Sequence, residues 1–326
     1  MTIRIGLLGA SKISRGAVLE PASLMSGVEV TRVAARDPDR AREFAQTHGI
    51  PGVEADYRAL VNSDAVDLVY NALPPAGHAE WSIAALRAGK HVLCEKPFAL
   101  NAAEARLMVE AAGERRLIEA FHYRFHPAFL QLLEIIGAGE IGAVQRLEGR
   151  LAGRIYFAPG ELRYEPAQGG GALMDLGCYV VHWLRTVTGQ EPRVVSASSR
   201  LHATGVDVET EASLEFPGGI PATLYCSMDE TRPEGLDAEV SVTGERGSVR
   251  MVNPLLPHVG HNIVVNVDGD TREFDVDGRT TYWHQLEHVI ALLSGNTPAV
   301  LDGADAIANM QVIDDIRRRA EIPVPA

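Results

Sequence analysis

The stretch "GLLGASKIS", Gly6 to Ser14, decides the fold of the first half of the chain, because it follows a predicted strand and leads into a predicted helix. A glycine turn in this position lets backbone N–H groups at a helix N-terminus bind a pyrophosphate. The spacing Gly6-x-x-Gly9-x-Ser11 departs from G-x-G-x-x-G, so the prediction depends more on the position after the strand than on the spacing. An ordinary tight turn is the alternative interpretation.

Around this turn, the first 120 residues alternate short apolar runs with helical patterns, which is typical of parallel βαβ units. Helices are predicted over residues 39–49 and 78–89, the second ending at a glycine placed as a C-cap. This half is therefore expected to be a doubly wound parallel sheet. The predicted strands are residues 3–8, 28–34, 65–71 and 91–94.

After Phe121 the pattern changes to a helix from Pro127 to about Ile136 and then to longer β-like runs. The stretches "EFPGGIPATL", "VTGERGSV" and "VNVDGDTREF" place glycine between β-branched runs, which predicts hairpins and an antiparallel meander. Its first strand is predicted near residues 144–152, and helices near 283–293 and 304–319 close the chain.

The domains that follow are a Rossmann dinucleotide-binding domain over residues 1–122 and an α/β substrate and oligomerisation domain over residues 123–326. The last helix, about residues 302–320, is a candidate to pack back on the first domain.

Composition excludes several classes of protein. The chain of 326 residues is 46% hydrophobic and 22% charged, as in a globular protein, and its net charge of −13 argues against binding nucleic acid or an anionic membrane. No secretion signal and no apolar run of membrane-spanning length is visible. Cys94, Cys178 and Cys226 form neither a CxxC pair nor a disulfide framework, so a cytoplasmic location is expected.

The stretch "VAARDPDR" ends the second predicted strand, where side chains of dinucleotide-binding folds contact the ribose of the cofactor. Ala35 is small and Arg36 can present a bidentate fork to a 2′-phosphate, with Arg40 and Lys12 as further cations, so NADP is favoured over NAD. The alternative is that Arg36 is a solvated surface residue and Asp37 binds the ribose.

The stretch "HVLCEKPFAL" places Glu95 and Lys96 beyond the carboxyl end of another strand, where open α/β sheets bind ligands. The chain has three lysines, Lys12, Lys90 and Lys96, and a lysine can be tuned by burial to titrate near neutrality. Lys96 is therefore a candidate for proton transfer or for lowering the pKa of a neighbour. A surface lysine before a loop proline is the alternative.

The stretch "GGGALMDLGCYVVHW", residues 169–183, places Asp175, Tyr179 and His182 on one face if it is a helix. A tyrosine near an ammonium group can act as a general acid or base, so Tyr179 could pair with Lys96 while Asp175 orients the lysine or a substrate hydroxyl. Gly177 indicates a close approach to the helix backbone, which we interpret as room beside a nicotinamide; packing against another element is the alternative.

No histidine pair has the tight spacing of a metal site, and we expect no catalytic metal. His122 and His126 are four residues apart, but Pro127 and the β-like run before them make a shared helical face doubtful.

With these residues assembled, the chain resembles the family of glucose-fructose oxidoreductase and inositol dehydrogenase, the Gfo/Idh/MocA family. The marks of the resemblance are "LPPAGH" at residues 73–78, "CEKP" at 94–97 and "GGGALMDLGCY" at 169–179. The stretches "AARDPDRAREFA", "EAFHYRFHPA" and "LRYEPAQGGGALMDLGCY" resemble the branch that holds dihydrodiol dehydrogenase, NADP-dependent xylose dehydrogenase and sugar ketoreductases.

The resemblance implies a Rossmann domain followed by a domain with an open-faced antiparallel sheet, with the active site between them. It also implies that Glu95 lies by the nicotinamide ribose and that Lys96 reaches the oxygen on the reacting carbon. Tyr179 stands where the wider family usually has a histidine, and His182 where much of the family has an aspartate. The implied cofactor contacts are Gly6, Gly9, Ala10, Ser11, Lys12, Ile13, Ala35, Arg36, Arg40, Leu73, Pro74, His78, Glu95 and Lys96.

We therefore expect an NADP-dependent oxidoreductase that transfers hydride between nicotinamide and a carbinol or carbonyl carbon of a sugar, polyol or dihydrodiol. Lys96, Tyr179 and Asp175 are the candidate catalytic residues. The candidate substrate contacts are His182, Arg124, Arg163 and Tyr164, and Arg163 could bind the cofactor instead. A glycosidase that uses NAD as a transient oxidant and a non-catalytic cofactor-binding sensor are the alternatives.

The resemblance also bears on assembly. An open-faced sheet needs its second face covered, so we expect a homo-oligomer, a dimer or a dimer of dimers, formed through that face.

Overall fold

The computed structural model describes residues 2–324, which form two compact units. The first comprises residues 2–122 and Tyr282–Ile307, and the second comprises Tyr123–Thr281 and the residues from Ala308 onward. The α-helices, in chain order, are α1 (Glu20–Ser23), α2 (Pro38–His48), α3 (Tyr57–Val61), α4 (His78–Arg87), α5 (Ala102–Ala112), α6 (Pro127–Gly137), α7 (Cys178–Thr188), α8 (Thr281–Leu293) and α9 (Gly303–Arg319).

The first unit is built on a parallel sheet of six strands in the order β3-β2-β1-β4-β5-β6. This order reverses direction beside β1, as in doubly wound nucleotide-binding folds, and confirms the predicted Rossmann architecture. Strand β4 is buried along its whole length, as expected of a sheet covered on both faces. The strands are β1 (Ile3–Leu8), β2 (Val28–Ala34), β3 (Gly52–Val53), β4 (Leu68–Asn71), β5 (His91–Cys94) and β6 (Leu117–Glu119).

Local capping explains where several of these elements begin and end. Helix α2 begins after Asp37, whose carboxylate accepts hydrogen bonds from the first turn, and ends at Gly49 in the left-handed conformation. Strand β4 begins at Leu68 rather than at the predicted residue 65, because the Val66 N–H bonds to the Ser63 carbonyl and closes a turn before it.

The second unit is built on a sheet of eight strands in the order β14-β13-β12-β11-β7-β10-β9-β8. The three predicted hairpins are present, between β9 and β10, β11 and β12, and β13 and β14. The strands are β7 (Val144–Gly153), β8 (Arg193–Leu201), β9 (Asp207–Phe216), β10 (Ile220–Ser227), β11 (Leu236–Gly244), β12 (Gly247–Val252), β13 (Asn262–Val267) and β14 (Asp270–Phe274).

The prediction of a purely antiparallel meander was wrong at one pair of strands, because β7 and β10 run parallel. Strand β7 is inserted between β11 and β10, both of which come much later in the chain. Short hairpins can make only antiparallel neighbours, so this pairing depends on the long connection after β7, which no local pattern records.

Helix α7 covers one face of this sheet over β7, β10 and β11. Its side chains from Cys178 to Arg185 are all buried, which explains its strongly apolar sequence. The other face carries charged side chains such as Arg150, which pairs with Asp237 and Glu239. The second unit is therefore a sheet with helices on one side and ion pairs on the other.

No helix within residues 2–324 combines the length and the apolar content that crossing a membrane requires.

Candidate active site

The glycine-rich turn lies directly after β1. Gly9 has a φ of +95°, a conformation that L side chains rarely adopt, and a Cβ there would lie 3.3 Å from the Leu73 side chain. The predicted helix after the turn begins irregularly, because residues Arg15–Leu19 form a π-helical turn before α1. The turn exposes Lys12 and Ile13.

Ser14 offers a test of whether this turn fits a dinucleotide. Its hydroxyl is fully buried and has no hydrogen-bond partner within the part of the chain that the structure describes. A buried polar atom without a partner is costly, and a polar ligand against the turn would relieve that cost. Together with the conformation of Gly9, this fits a turn that binds the phosphates of a dinucleotide.

Arg36 and Asp37, just after β2, are the two residues predicted to contact the ribose of the cofactor, and their surroundings differ. Asp37 Oδ1 accepts hydrogen bonds from the backbone N–H of Asp39 at 2.9 Å and of Arg40 at 3.4 Å, so this carboxylate caps α2. The Arg36 side chain is exposed, and its backbone N–H donates to the Tyr57 hydroxyl at 3.1 Å. The structure therefore gives Asp37 Oδ1 a capping role in α2 and leaves the Arg36 side chain exposed.

Arg40 reaches the glycine turn from α2. Its Nη2 donates to the Ala10 carbonyl at 3.1 Å. This bond brings two predicted cofactor residues together, beside the half-buried Ala35 and Ser11. Gly6 lies beneath the turn, and a Cβ there would come within 2.8 Å of the Val66 side chain.

His78 connects the two loops that follow β4 and β5. The ring is fully buried, with Nδ1 2.9 Å from the Pro97 carbonyl and Nε2 2.8 Å from the Leu73 carbonyl. Burial lowers the pKa of His78, while the two carbonyl contacts oppose that shift. His78 thus fixes the backbone of both loops. These loops carry the predicted cofactor residues Leu73, Pro74 and Lys96.

Glu95 and Lys96 follow β5 at the carboxyl end of the sheet. The Glu95 carboxylate is buried and accepts a hydrogen bond from the Tyr70 hydroxyl at 2.6 Å, and Lys96 is half-buried. Sequence reasoning missed Tyr70, because a tyrosine in an apolar strand is an ordinary core residue. Its hydroxyl fixes the position of the Glu95 carboxylate.

In the second unit, the stretch from residue 169 is not one regular helix. Leu173–Gly177 form a π-helical turn, and α7 begins at Cys178. Asp207 anchors this turn, because its Oδ2 accepts from the Leu173 N–H at 2.7 Å and from the Thr210 hydroxyl at 2.8 Å. Burial raises the pKa of Asp207. No local pattern marked Asp207, which lies 34 residues after Leu173, the residue of the turn to which it is bonded.

Asp175, on this turn, is paired with Arg163. The Gly171 N–H bonds to the Arg163 carbonyl at 2.9 Å, which brings the preceding loop back against the turn. Arg163 Nε then donates to Asp175 Oδ2 at 2.7 Å, and its Nη1 donates to Glu161 at 3.0 Å. Asp175 raises the pKa of the Arg163 guanidinium. The structure therefore joins a predicted catalytic carboxylate to a predicted substrate-binding cation.

Tyr179 and His182 belong to one buried aromatic cluster. Tyr179 is 4% exposed and His182 1% exposed. The Tyr123 hydroxyl is hydrogen-bonded to His182 Nδ1, and the Tyr123 ring makes an edge contact with Tyr179 at a centroid distance of 6.0 Å. Trp183 packs against both tyrosines. Tyr123 is a residue that the sequence analysis did not single out.

Gly177 packs against another element, so the interpretation that it makes room beside a nicotinamide was wrong. A Cβ on Gly177 would lie 2.9 Å from Cys226 Sγ on β10 and 2.8 Å from Leu173 Cδ1. The glycine is required because the π turn lies directly on the sheet.

We expect Gly177→Ala to lower the free energy of unfolding by about 1–3 kcal/mol, because the added methyl group overpacks this contact. Urea and thermal unfolding would measure the loss. Gly16→Ala is the matched control, because its Cβ would meet nothing within 4 Å. Combining Gly177→Ala with Cys226→Ala should recover part of the loss, and an unchanged loss in the double variant would contradict the contact.

The remaining predicted substrate residues differ in their surroundings. Tyr164 is buried, and its hydroxyl donates to the Ile155 carbonyl at 2.8 Å. Arg124 is half-buried in a short 3₁₀ turn, His122–Phe125.

Among residues 2–324, no three His, Cys, Asp or Glu side chains are grouped as a metal site requires.

Two family models match the chain. Residues 3–122 match the model described as "Oxidoreductase family, NAD-binding Rossmann fold", and residues 129–250 match the GFO/IDH/MocA C-terminal domain.

The chain is also similar to known proteins over nearly its whole length. The chain is 33% identical to D-xylose 1-dehydrogenase (NADP(+)) 2 of Haloferax volcanii, covering 97% of both chains, and 32% identical to trans-1,2-dihydrobenzene-1,2-diol dehydrogenase of Xenopus tropicalis, covering 100% of both. A 3-ketoreductase from Actinomadura kijaniata, solved with NADP and TDP-benzene, superposes with a TM-score of 0.89 at 29% identity over 98% of both chains.

Proposed function

Because the chain belongs to the GFO/IDH/MocA family and is an NAD(P)-dependent oxidoreductase, we propose that it uses NADP to oxidise or reduce a sugar, polyol or dihydrodiol. The observation that carries this proposal is the position of Glu95 and Lys96 directly after β5. Ligands of open α/β sheets bind beyond the carboxyl ends of the strands, so both side chains lie where a reacting group would be held.

The preference for NADP rests on the end of β2. One oxygen of the Asp37 carboxylate, Oδ1, caps the N-terminus of α2, which weakens the case for Asp37 as the residue that binds a ribose 2′-hydroxyl. The exposed Arg36 guanidinium can form a charge-assisted bidentate contact with a 2′-phosphate, and Lys12 is a second exposed cation.

The proposed chemistry assigns one role to each of three residues. The turn after β1 and the loops after β4 and β5 would hold NADP, which would supply or accept the hydride of the substrate carbon. Tyr179 moves the proton of the substrate hydroxyl as general acid or base, and the Lys96 ammonium favours the ionised form of the reacting oxygen by its charge. Asp175, fixed by Arg163, orients the substrate through its carboxylate.

Other residues complete the proposed sites. His182 contacts the substrate from the cluster that holds Tyr179, Arg124 and Arg163 supply further donors, and Tyr164 supports the loop that carries Arg163. Residues 1–122 are proposed as the NADP-binding domain.

We further propose a cytoplasmic homo-oligomer, a dimer or a dimer of dimers, that assembles through the uncovered sheet face. Light scattering at micromolar concentration measures this directly, and a monomer would contradict it.

The test of the function follows nicotinamide absorbance with NADP and then NAD, over a panel of aldoses, inositols and trans-dihydrodiols. We expect reduction of NADP by at least one class of uncharged compound. Tight cofactor binding without net reduction by any compound would instead support the glycosidase or sensor alternative. Failure to bind NADP would contradict the proposal altogether.

A further inference from the structure

Residues 154–170 lie between β7 and the π turn and form a loop that we call the 154–170 loop. It reaches the proposed substrate site through Arg163, which is bonded to Asp175. The side chains of this loop therefore influence which substrates can bind, if the protein has the proposed function on which this inference rests.

The arginines of this loop are already neutralised by carboxylates. Arg163 donates to both Asp175 and Glu161, and Arg154 is paired with Glu234. Recognition of phosphate depends on guanidinium or ammonium groups with free donors, or on a helix N-terminus. Arginines held in this way offer a poor site for an anion.

Further carboxylates surround the centre of the loop. Glu230 accepts a hydrogen bond from the Phe157 N–H at 3.3 Å, so the segment after β10 lies against the loop. Burial raises the pKa of the Tyr164 phenol, and the nearby Glu230, Asp229 and Glu161 raise it further. Glu161 and Asp229 are each paired with an arginine, whereas among the described residues Glu230 accepts only the backbone bond named above. Glu230 therefore supplies the excess negative charge beside Tyr164, which repels an anionic ligand.

The loop also exposes two aromatic rings. Tyr156 is 60% exposed and Phe157 is 45% exposed, although large apolar side chains are usually buried. The Phe157 ring is held by Tyr164 at 5.3 Å and by His202 at 4.9 Å between centroids, so it is a fixed surface. A fixed aromatic face suits the C–H face of a sugar ring or the ring of a dihydrodiol.

From these observations we propose that the substrate is an uncharged polyhydroxylated ring compound that packs on Phe157, beside Tyr156, whose ring is partly covered by the Arg154 guanidinium at 4.9 Å. Carboxylates accept hydrogen bonds from its hydroxyl groups, and the loop rejects phosphorylated or nucleotide-linked sugars. Carboxylates and aromatic rings are the groups that bind the hydroxyl groups and the C–H face of a neutral sugar. A diphosphate could bind to the arginines of the loop only if their ion pairs with carboxylates were broken.

The first experiment compares D-glucose and D-xylose with D-glucose 6-phosphate and dTDP-D-glucose as substrates of the NADP-loaded enzyme at low salt. We expect kcat/KM to be at least about tenfold higher for an uncharged sugar than for either anionic compound, because like charges in a partly desolvated site repel. In parallel, calorimetric titration with dTDP should show no binding at millimolar concentration.

Micromolar binding of dTDP to the NADP-loaded protein, or faster turnover of an anionic sugar, would overturn the inference and leave the proposed function standing. The dTDP titration decides between these outcomes even if neither glucose nor xylose is a substrate. Failure to bind NADP, measured first, would instead remove the proposed function on which the inference rests.

A second experiment tests the loop itself. Phe157→Ala should raise KM for the uncharged substrate by roughly tenfold, the size expected for loss of an aromatic contact, with kcat within about threefold. Leu24→Ala, another exposed apolar side chain, is the control and should change neither constant. Glu161→Gln combined with Glu230→Gln should raise kcat/KM for D-glucose 6-phosphate severalfold. An unchanged KM in Phe157→Ala would contradict the proposed contact.

Discussion

Replacing Tyr179 by phenylalanine is expected to lower kcat by about 10²-fold or more while the affinity for NADP stays within about twofold. The substitution removes only the hydroxyl. The ring keeps its contacts with Tyr123 and Trp183 in the buried cluster, so the fold should be preserved. Steady-state kinetics and quenching of protein fluorescence by NADPH measure the two quantities separately.

Tyr225→Phe is the matched control, because its hydroxyl is bonded to Glu209 on the exposed side of the sheet and should not affect turnover. If Tyr179→Phe retained full turnover, the proton would have to be moved by another residue. A loss of cofactor affinity equal to the loss of kcat would indicate a structural role for Tyr179.

Replacing Arg36 by alanine is expected to lower kcat/KM for NADP by about 10- to 100-fold, which corresponds to the loss of a charge-assisted contact to phosphate. The value for NAD should stay within about threefold, because NAD lacks the 2′-phosphate. Kinetics with both cofactors at fixed substrate give the ratio directly, and that ratio is insensitive to the amount of active enzyme.

Arg42→Ala serves as the control for this substitution, since Arg42 lies on α2, which follows the bend that carries Arg36, and pairs with Asp39 on the surface. Equal losses of kcat/KM with NADP and NAD would show that Arg36 stabilises the backbone after β2 and does not determine cofactor preference. An unchanged kcat/KM with both cofactors would indicate that Lys12 or Arg40 binds the 2′-phosphate instead.

Most of the first unit could be predicted from the sequence because its signals are local. Strands β1 and β5 are short runs that are mostly buried, β2 is a short run rich in valine, and α2 has a capping aspartate at one end and a glycine at the other. Each of these signals lies within a few residues of the element that it defines.

The candidate site was predicted less completely, because much of it depends on contacts between distant residues. The bond between Tyr123 and His182 joins positions 59 residues apart, and Asp207 holds a turn 34 residues before it. The π turn also changes the spacing that a regular helix would give to Asp175 and Tyr179. None of these features has a periodic signature in a single sequence.

The discontinuous first unit has a consequence for biosynthesis. Residues 2–122 form its sheet, but Tyr282–Ile307, which contain most of α8, also belong to it. The ribosome must therefore translate the second unit's strands before the last part of the first unit emerges from the exit tunnel. Through that interval the six strands of the first unit are present, but the unit lacks most of α8, and chaperone binding to the growing chain should be strongest then.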